Sequence, residues 1–426
     1  MRSSILLIVL LVVVIGLILF QPIVSMGGDD WSISGLNYRA KIIIRTPGLN
    51  TTVTDLPIPL SITNDIIDFS KTSPSGDDII VTDMEGRVIP FYVEYWNVSE
   101  GKGVIWIRPR VYNGSMELYI YYNMTETTAL PANYSSPWND YFLALLFNQR
   151  ELFFVKEKPY IRDEAKGNHT AKIVGPGYTI VKAPTGEAIY LDGENAWIMI
   201  SNTTFYNWSS TTIEVLLHLY DKQARYGRHR DLSYGNYITA PFASMYILYG
   251  ENKTNPNITL YFNTWRPGTG RREYTVNLTK YRGEWIYLVI TYDNVTREYG
   301  VYVNGEKIYE ATIPEDEMTI VDVNPHKWDP YGSRYLTLGL GANNIGFERT
   351  RVAYDFIRIL KDRVVSGEWV RAEYLAITNT SVELVGVEEN KAGAPVSISI
   401  PKTLVFGIAL VLIVSAAYMV YNRRRS

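Results

Sequence analysis

Residues 285–292 of this 426-residue chain read WIYLVITY, and residues 300–308 read GVYVNGEKI. Both stretches are rich in β-branched and aromatic residues, which favour strands. Asn304-Gly305 supplies the two positive φ angles that a type I′ hairpin turn needs. The stretch therefore predicts three consecutive antiparallel strands.

The same pattern recurs along the chain. Residues 41–45, 103–108 and 118–122 are short apolar or aromatic runs bounded by turn residues. No long stretch with a 3.6-residue period occurs between the two ends. Many short strands joined by turns predict an all-β protein of sandwiches or barrels.

A short helix is the one expected exception. Ser366 is a good N-cap for a helix over residues 367–374, because its hydroxyl can accept from a free backbone N–H. We expect Trp369 and Tyr374 of this helix to face the sheet.

Both ends of the chain are apolar. A basic start, the apolar residues 5–20 and small residues near position 27 predict a secretory signal peptide over residues 1–27. An uncleaved membrane anchor is the alternative. A polar linker over residues 389–401 leads to a predicted transmembrane helix, residues 402–422. The tail, residues 423–426, contains three arginines that mark the cytoplasmic side. These features predict a single-pass cell-membrane protein whose bulk is extracellular.

N-glycosylation signals are dense between the two ends. Thirteen of the 27 asparagines begin Asn-x-Ser/Thr, whereas roughly one in eight is expected by chance. These sequons predict a glycoprotein, because they act outside the cell or in a secretory lumen. They are Asn50, Asn97, Asn113, Asn123, Asn133, Asn168, Asn202, Asn207, Asn252, Asn257, Asn277, Asn294 and Asn379.

Composition narrows the class of partner. The formal charge is -3, and it falls to about -8 without the charged residues of the two ends, which argues against a nucleic-acid partner. The chain has no cysteine, so thiolate metal sites and cysteine nucleophiles are excluded. Scarce glutamine together with abundant tyrosine, isoleucine and arginine fits a heat-adapted organism. With the sequons, this composition suggests an archaeal cell surface.

Two resemblances divide the chain. The first half resembles a prokaryotic cell-surface domain of unknown function that often precedes a laminin-G module. The matching residues are 38–42, 56–60, 67–70, 76–83, 89–94, 104–107 and 118–122. The second half resembles the concanavalin A-like, laminin-G type sandwich, through residues 188–193, 197–198, 283–292, 301–306, 352–359 and 366–370.

The resemblances imply two jelly-roll-like sandwiches in series, over residues 36–148 and 150–388. Such sandwiches include lectins, adhesion modules and glycanases, so the fold alone does not fix the function. Glycanases of this class carry alternating carboxylates on one strand. No Glu-x-Asp-x-x-Glu run occurs here, and residues 315–317, EDE, read as a solvated loop. We therefore expect no enzyme activity, with an envelope glycan hydrolase as an alternative.

Metal ligands are sparse. His169, His218, His229 and His326 lack metal-ligand spacing, and His169 lies inside a sequon, which predicts an exposed side chain. Laminin-G type sandwiches often hold a structural calcium. Asp192 and Asp355 fall at predicted strand ends and could contribute oxygens to such an ion, but calcium needs six to eight. Turn capping is the competing interpretation for both, and no cofactor is required.

Two groups of arginine and aromatic residues are candidate ligand sites. One group is Arg225, Tyr226 and Arg228, and the other is Trp265, Arg266, Arg271 and Arg272 around a Pro-Gly turn. Such side chains suit sugars and anionic polymers, through stacking and bidentate hydrogen bonds. The alternative is solvated loops whose arginines pair with nearby acids such as Glu273.

The sequence therefore predicts adhesion or carbohydrate binding at the cell envelope. A structural component or partner of a surface layer is the alternative. Glycans and surface-layer proteins are the expected partners.

Overall fold

A computed structural model describes most of the chain between residues 31 and 389. The described residues are 31, 33, 35–124, 134–165, 167, 169–201, 203, 205, 207–223, 229–234, 244–250, 252, 254–322, 336–339 and 349–389. The predicted signal segment, the linker beyond Glu389, the predicted transmembrane helix and the tail lie outside the described residues. Within the described ranges, no helix is long and apolar enough to cross a membrane.

The described chain is almost entirely β-structure, as predicted. Strands of the first part are β1 (Leu36–Arg45), β2 (Val53–Thr54), β3 (Ile58–Thr63), β4 (Ile80–Thr82), β5 (Phe91–Asn97), β6 (Lys102–Ile107), β7 (Val111–Tyr112) and β8 (Ser115–Met124). Strands of the middle part are β9 (Leu143–Leu146), β10 (Leu152–Val155), β11 (Lys158–Ile161), β12 (Ala171–Val174), β13 (Tyr178–Ala183), β14 (Gly186–Asp192), β15 (Trp197–Ile200) and β16 (Ser210–Leu219).

Later strands are β17 (His229–Tyr234), β18 (Ser244–Tyr249), β19 (Ile258–Arg266), β20 (Gly270–Asn277), β21 (Trp285–Asp293), β22 (Glu298–Val303), β23 (Glu306–Thr312), β24 (Leu336–Leu338), β25 (Arg351–Lys361) and β26 (Ser381–Glu389). The helix α1 (Gly367–Asn379) precedes β26, and two 3-10 turns cover Phe69–Lys71 and Thr279–Tyr281.

The larger sandwich consists of two antiparallel sheets. One has nine strands in the order β10-β11-β12-β15-β24-β17-β18-β19-β20, and the other has the order β13-β14-β25-β16-β21-β22-β23 with β9 added beside β25. Ile198, Ile247 and Leu260 from the first sheet and Val215, Ile290 and Ile357 from the second belong to one buried apolar cluster. Burial of this shared face holds the sheets together.

The smaller sandwich takes a strand from the far end of the chain. Its four-stranded sheet has the order β26-β1-β8-β4, and a second sheet has the order β3-β6-β5. The sequence boundaries grouped residues up to 388 with the larger sandwich, yet β26 pairs with β1 from Tyr38↔Glu389 to Arg45↔Ser381. Pairing satisfies an edge of β1 that would otherwise be open. The limits of the two domains remain predictions.

Both local predictions of the sequence are confirmed. Asn304 and Gly305 have φ angles of 53° and 83° between β22 and β23. The Ser366 side chain accepts from the backbone N–H of Trp369 at 3.2 Å and caps helix α1. Trp369 is buried, and its indole N–H donates to the carbonyl of Thr54 in the smaller sandwich at 3.3 Å.

A fully buried arginine lies where α1 meets the larger sandwich. Arg358 on β25 donates to Glu373 of the helix, and its guanidinium lies 2.8 Å from Glu214 of β16. Tyr287 also donates to Glu373. Burial alone would lower the pKa of Arg358, but attraction to Glu373 and Glu214 outweighs it and raises the pKa. Burial, followed by repulsion from Glu373, raises the pKa of Glu214 to about 8. Arg358 therefore lies between two buried carboxyls, Glu373 and Glu214.

Candidate functional site

Aromatic and arginine side chains form one face of strands β17–β20. Ile247, Leu260 and Phe262 point into the core, so the alternating residues point to the other face of the sheet. In the register, Tyr246 lies opposite Tyr261 and Trp265 opposite Arg271. We call Arg230, Tyr246, Tyr261, Trp265 and Arg271 the sheet face.

Contacts fix the side chains of the sheet face. The rings of Tyr246 and Tyr261 stack with centroids 5.0 Å apart, and the Arg230 guanidinium lies 4.7 Å from the Tyr246 centroid. Arg271 donates to the Tyr246 hydroxyl and to the Asn263 amide oxygen, each at 3.0 Å. Its guanidinium is thereby oriented before any ligand arrives, which reduces the entropy lost on binding.

The structure separates two arginines that the sequence grouped with Trp265. Arg272 lies opposite Thr264, on the other side of the strand from Arg271. It donates to Glu317 at 2.8 Å, and Tyr274 donates to the same carboxylate at 2.9 Å. Burial alone would raise the pKa of Glu317, but hydrogen bonds from Thr264, Arg272 and Tyr274 lower it.

These contacts correct one expectation about residues 315–317. Glu317 is 1% exposed and holds the loop against β20, so it is not a solvated side chain. Arg266 pairs with Asp316 of the same loop. Arg271 also pairs with Glu273, the kind of local acid pair foreseen for these arginines. Arg225, Tyr226 and Arg228 lie outside the described residues.

Three sequons lie near one end of the same sheet. Asn277 lies six residues after Arg271 on β20, so its side chain points to the same outer side of the sheet. At about 3.4 Å per residue this is roughly 20 Å. Asn252, Asn257 and Asn277 are all exposed near that far end. Glycans there would cover one end of the sheet and leave the end with Trp265 open.

Most of the described sequon asparagines are accessible. Asn50, Asn113, Asn207 and Asn379 are also exposed, whereas Asn97, Asn123 and Asn294 are half-buried. The Asn123 side-chain nitrogen, the atom to which a glycan would be attached, donates to the carbonyl of Lys71 at 2.8 Å. Asn133, Asn168 and Asn202 lie outside the described residues.

The two aspartates considered for calcium have other partners. Asp192 accepts from the backbone N–H groups of Glu194 and Asn195 at 2.8 and 2.7 Å and caps the turn. Asp355 is fully buried and accepts from Thr185. Across the described residues, no three His, Asp or Glu side chains are grouped to hold a metal ion. The exposure expected of His169 is wrong, because the ring is buried 2.8 Å from Asp163.

A group of buried and half-buried carboxyls between the sandwiches was missed by the sequence analysis. Burial, followed by repulsion from Asp355, raises the pKa of Glu94 well above its usual range, and burial raises the pKa of Asp355 to about 7. Burial and a hydrogen bond with Glu151 raise the pKa of Glu164 to about 8. These residues come from distant segments. The available signal was an acid inside an apolar strand, as in FYVE at residues 91–94.

Sequence comparisons support the resemblance in the first half. A family described as "Domain of unknown function (DUF2341)" matches residues 75–135. A search of curated proteins finds no match.

Several solved structures have limited similarity to this chain. The botulinum neurotoxin serotype D binding domain is 13% identical with a TM-score of 0.37, over 55% of this chain and 51% of that one. The binding domain of botulinum neurotoxin DC in complex with SialylT is 11% identical with a TM-score of 0.38, over 56% of this chain and 52% of that one. This chain thus spans about half the length of these toxin domains.

Domain 4 of AbnA, a GH43 extracellular arabinanase from Geobacillus stearothermophilus in complex with arabinotriose, is a third similar structure. It is 16% identical with a TM-score of 0.35, over 56% of this chain and 98% of that one. Likeness at this level carries no inference about ligands, so the function has to be argued from the side chains of the site.

Proposed function

We propose that this chain is a glycan-binding protein of the cell surface, and that the sheet face binds a saccharide carrying a carboxylate. One observation carries the proposal: Arg271 is held ready beside Trp265 and a stacked tyrosine pair, on an outer side of the sheet. Aromatic faces stack on the C–H side of sugar rings, and a planar guanidinium matches a carboxylate bidentately.

The surrounding charges favour an acidic sugar over a neutral one. Arg230 and Arg271 both lie against Tyr246. Glu273 pairs with Arg271 from the outer side and would be displaced by the incoming carboxylate. Exchange of one carboxylate for another retains the charge-assisted bonds of Arg271 to Asn263 and Tyr246.

The cellular location is part of the same proposal. Exposed sequons on both sandwiches support an extracellular body, and the apolar terminal segments of the sequence support secretion and a single C-terminal anchor. Glycosylation, anchoring by residues 402–422 and an archaeal, heat-adapted source remain proposals. If a structural calcium is bound, chelator should lower the melting temperature, and an unchanged midpoint would remove that proposal.

A lattice role in a surface layer is the second candidate. Strand β26 is the edge of its sheet, and Val385 and Val387 on it are 52% and 48% exposed. Exposed apolar groups on an open edge favour contact with another protein strand. If self-assembly at the cell surface requires these valines while no glycan binds, the lattice role is favoured.

Glycan binding by the full-length chain in detergent tests the main proposal. We expect oligosaccharides containing uronic or sialic acids to bind, and Trp265→Ala and Arg271→Ala each to weaken binding about tenfold or more. Arg87→Ala, on an exposed turn of the smaller sandwich, is the matched control. The proposal would be wrong if both sheet-face variants bound with unchanged affinity, or if the native chain bound no acidic glycan. Release of reducing ends would instead indicate a hydrolase.

A further inference from the structure

A cleft lies between β5 of the smaller sandwich and the start of β14 in the larger one. Its volume is about 430 Å³, within the range of small-ligand sites, which is roughly 300–1,000 Å³. Tyr95 and Trp96 line one side, while Gln149, Arg150 and Glu187 line the other. None of these residues belongs to the sheet face.

Strand β14 approaches β5 closely at Gly186. A methyl group at Gly186 would lie 3.6 Å from Tyr95 Cβ and 3.9 Å from Glu94 Cδ. Gly186 has φ of 141°, in a region that favours glycine. Glu187, the next residue, lines the same cavity as Glu94.

Glu94 is the buried polar group of the cleft. It is 1% exposed and lines the cavity. One carboxyl oxygen accepts from the Trp106 indole N–H, while Oε1 has no hydrogen-bond partner. A buried polar atom without a partner costs about 1–3 kcal/mol. Burial and the neighbouring Asp355 raise the pKa of Glu94, and the nearby Trp106 and Asn148 side chains offset only part of that rise.

The charges of the cleft select the ligand class. Arg150 is already bonded to Asp77 and to the carbonyl of Ser75, each at 2.8 Å, so it offers little to an anion, which Glu187 would also repel. A divalent cation is disfavoured, because no metal-ligating trio occurs among the described residues. The Tyr95 ring, the Glu94 carboxyl, the Gln149 amide and the Glu187 carboxylate together match a neutral polyol.

We propose that this cleft binds a neutral saccharide, with one ring against Tyr95 and one hydroxyl bonded to the Glu94 carboxyl. Glu187 accepts from a second hydroxyl, and Gln149 can donate to a third. The cleft is a second sugar site that differs from the sheet face in location and in ligand charge.

Titration of the full-length chain with neutral sugars tests the proposal. The probes are di- and trisaccharides of glucose, galactose and mannose. Their binding is measured by tryptophan fluorescence and by calorimetry. The protein carries Trp265→Ala and Arg271→Ala, so the sheet face cannot contribute. We expect at least one of these probes to bind, and Tyr95→Ala to weaken that binding about tenfold or more.

Substitutions at Glu94 separate a binding role from a structural one. Glu94→Gln retains a neutral donor and the acceptor for Trp106, so affinity should stay within about threefold. Glu94→Leu removes both and should weaken binding about tenfold or more. Each variant is melted first, and Tyr95→Ala alone decides the matter if Glu94→Leu does not fold.

Two results would overturn the proposal. Asn148 lies beside Glu94 and its amide nitrogen also lacks a partner. If these two groups close on each other and the cleft holds only water, no neutral sugar changes the fluorescence or releases heat. If a sugar binds equally well to Tyr95→Ala, it occupies another site. Neither result bears on acidic glycans at the sheet face, which are measured with Trp265 and Arg271 intact.

Discussion

Arg358 and Arg272 each bind a glutamate, but they do so in opposite environments. The side chain of Arg358 is 0% exposed, between two carboxyls and beneath Trp106 and Trp138, whereas the side chain of Arg272 is 57% exposed. Water can replace a lost partner at the surface, and it cannot do so in the core. The buried group therefore depends on all its members, whereas removal of Arg272 takes from Glu317 only one of its three side-chain donors.

Removal of the buried Arg358 should change the free energy of unfolding more than any other substitution described below. Arg358→Ala leaves Glu214 and Glu373 without their counter-charge and should lower the free energy of unfolding by about 3–5 kcal/mol. Denaturant unfolding of the full-length chain, followed by tryptophan fluorescence, measures it. As the control, Arg358→Met with Glu214→Gln and Glu373→Gln should recover most of the loss. A loss below about 1 kcal/mol would show that the group is not isolated from water.

The pH dependence of the free energy of unfolding tests whether burial raises the pKa values of the interior carboxyls. Folding raises the pKa values of Glu164 and Glu214 to about 8, of Asp355 to about 7 and of Asp231 to about 6. Unfolded carboxyls titrate near pH 4, so between these values the folded state binds more protons. Stability should therefore rise as the pH falls from 8 towards 5, by up to about 1.4 kcal/mol per pH unit per proton.

A matched pair of variants sharpens the pH prediction. Asp355→Asn removes one raised carboxyl and should flatten the slope of unfolding free energy against pH. Glu85→Gln, on an exposed turn, should leave the slope unchanged. A slope of the opposite sign in the native chain would mean that these carboxyls are ionised when folded.

Loss of the N-cap of α1, the helix that carries Glu373, should have a smaller effect on stability. Ser366→Ala removes the hydroxyl that caps α1 and should cost about 1 kcal/mol, while Ser366→Asp should retain most of the stability. Thermal unfolding of both variants tests this. Equal loss in the two would assign the effect to something other than the cap.

The surface arginines should give the smallest effects. Arg272→Ala leaves Glu317 with two of its donors, Thr264 and Tyr274, so the melting temperature should fall slightly. Arg87→Ala removes only exposed pairs with Asp83 and Glu85 and should leave the melting temperature unchanged. If Arg272→Ala is as damaging as Arg358→Ala, exposure does not explain the difference between them.

Sequence patterns predicted the local structure well. The Asn304-Gly305 turn and the Ser366 cap were found because they depend on residues a few positions apart. Strand alternation could also have separated Arg271 from Arg272, since neighbours on a strand point to opposite faces. The grouping of Trp265 with both arginines overlooked that rule.

Long-range arrangements could not be predicted in the same way. The pairing of β26 with β1 joins residues more than 300 positions apart, and nothing in either strand specifies its partner. Acids within apolar strands, such as Glu94 and Asp355, could have indicated burial, but not that they would meet. Their clustering depends on how the two sandwiches pack.

The pairing of β26 with β1 has a mechanical consequence. Tension applied at Glu389 along the strand would load the ladder from Tyr38↔Glu389 to Arg45↔Ser381 in shear, so its hydrogen bonds would resist together. A pull across the strand would open them one at a time. If residues 390–401 tether the protein to a membrane, the direction of the pull decides whether the smaller sandwich holds or unzips.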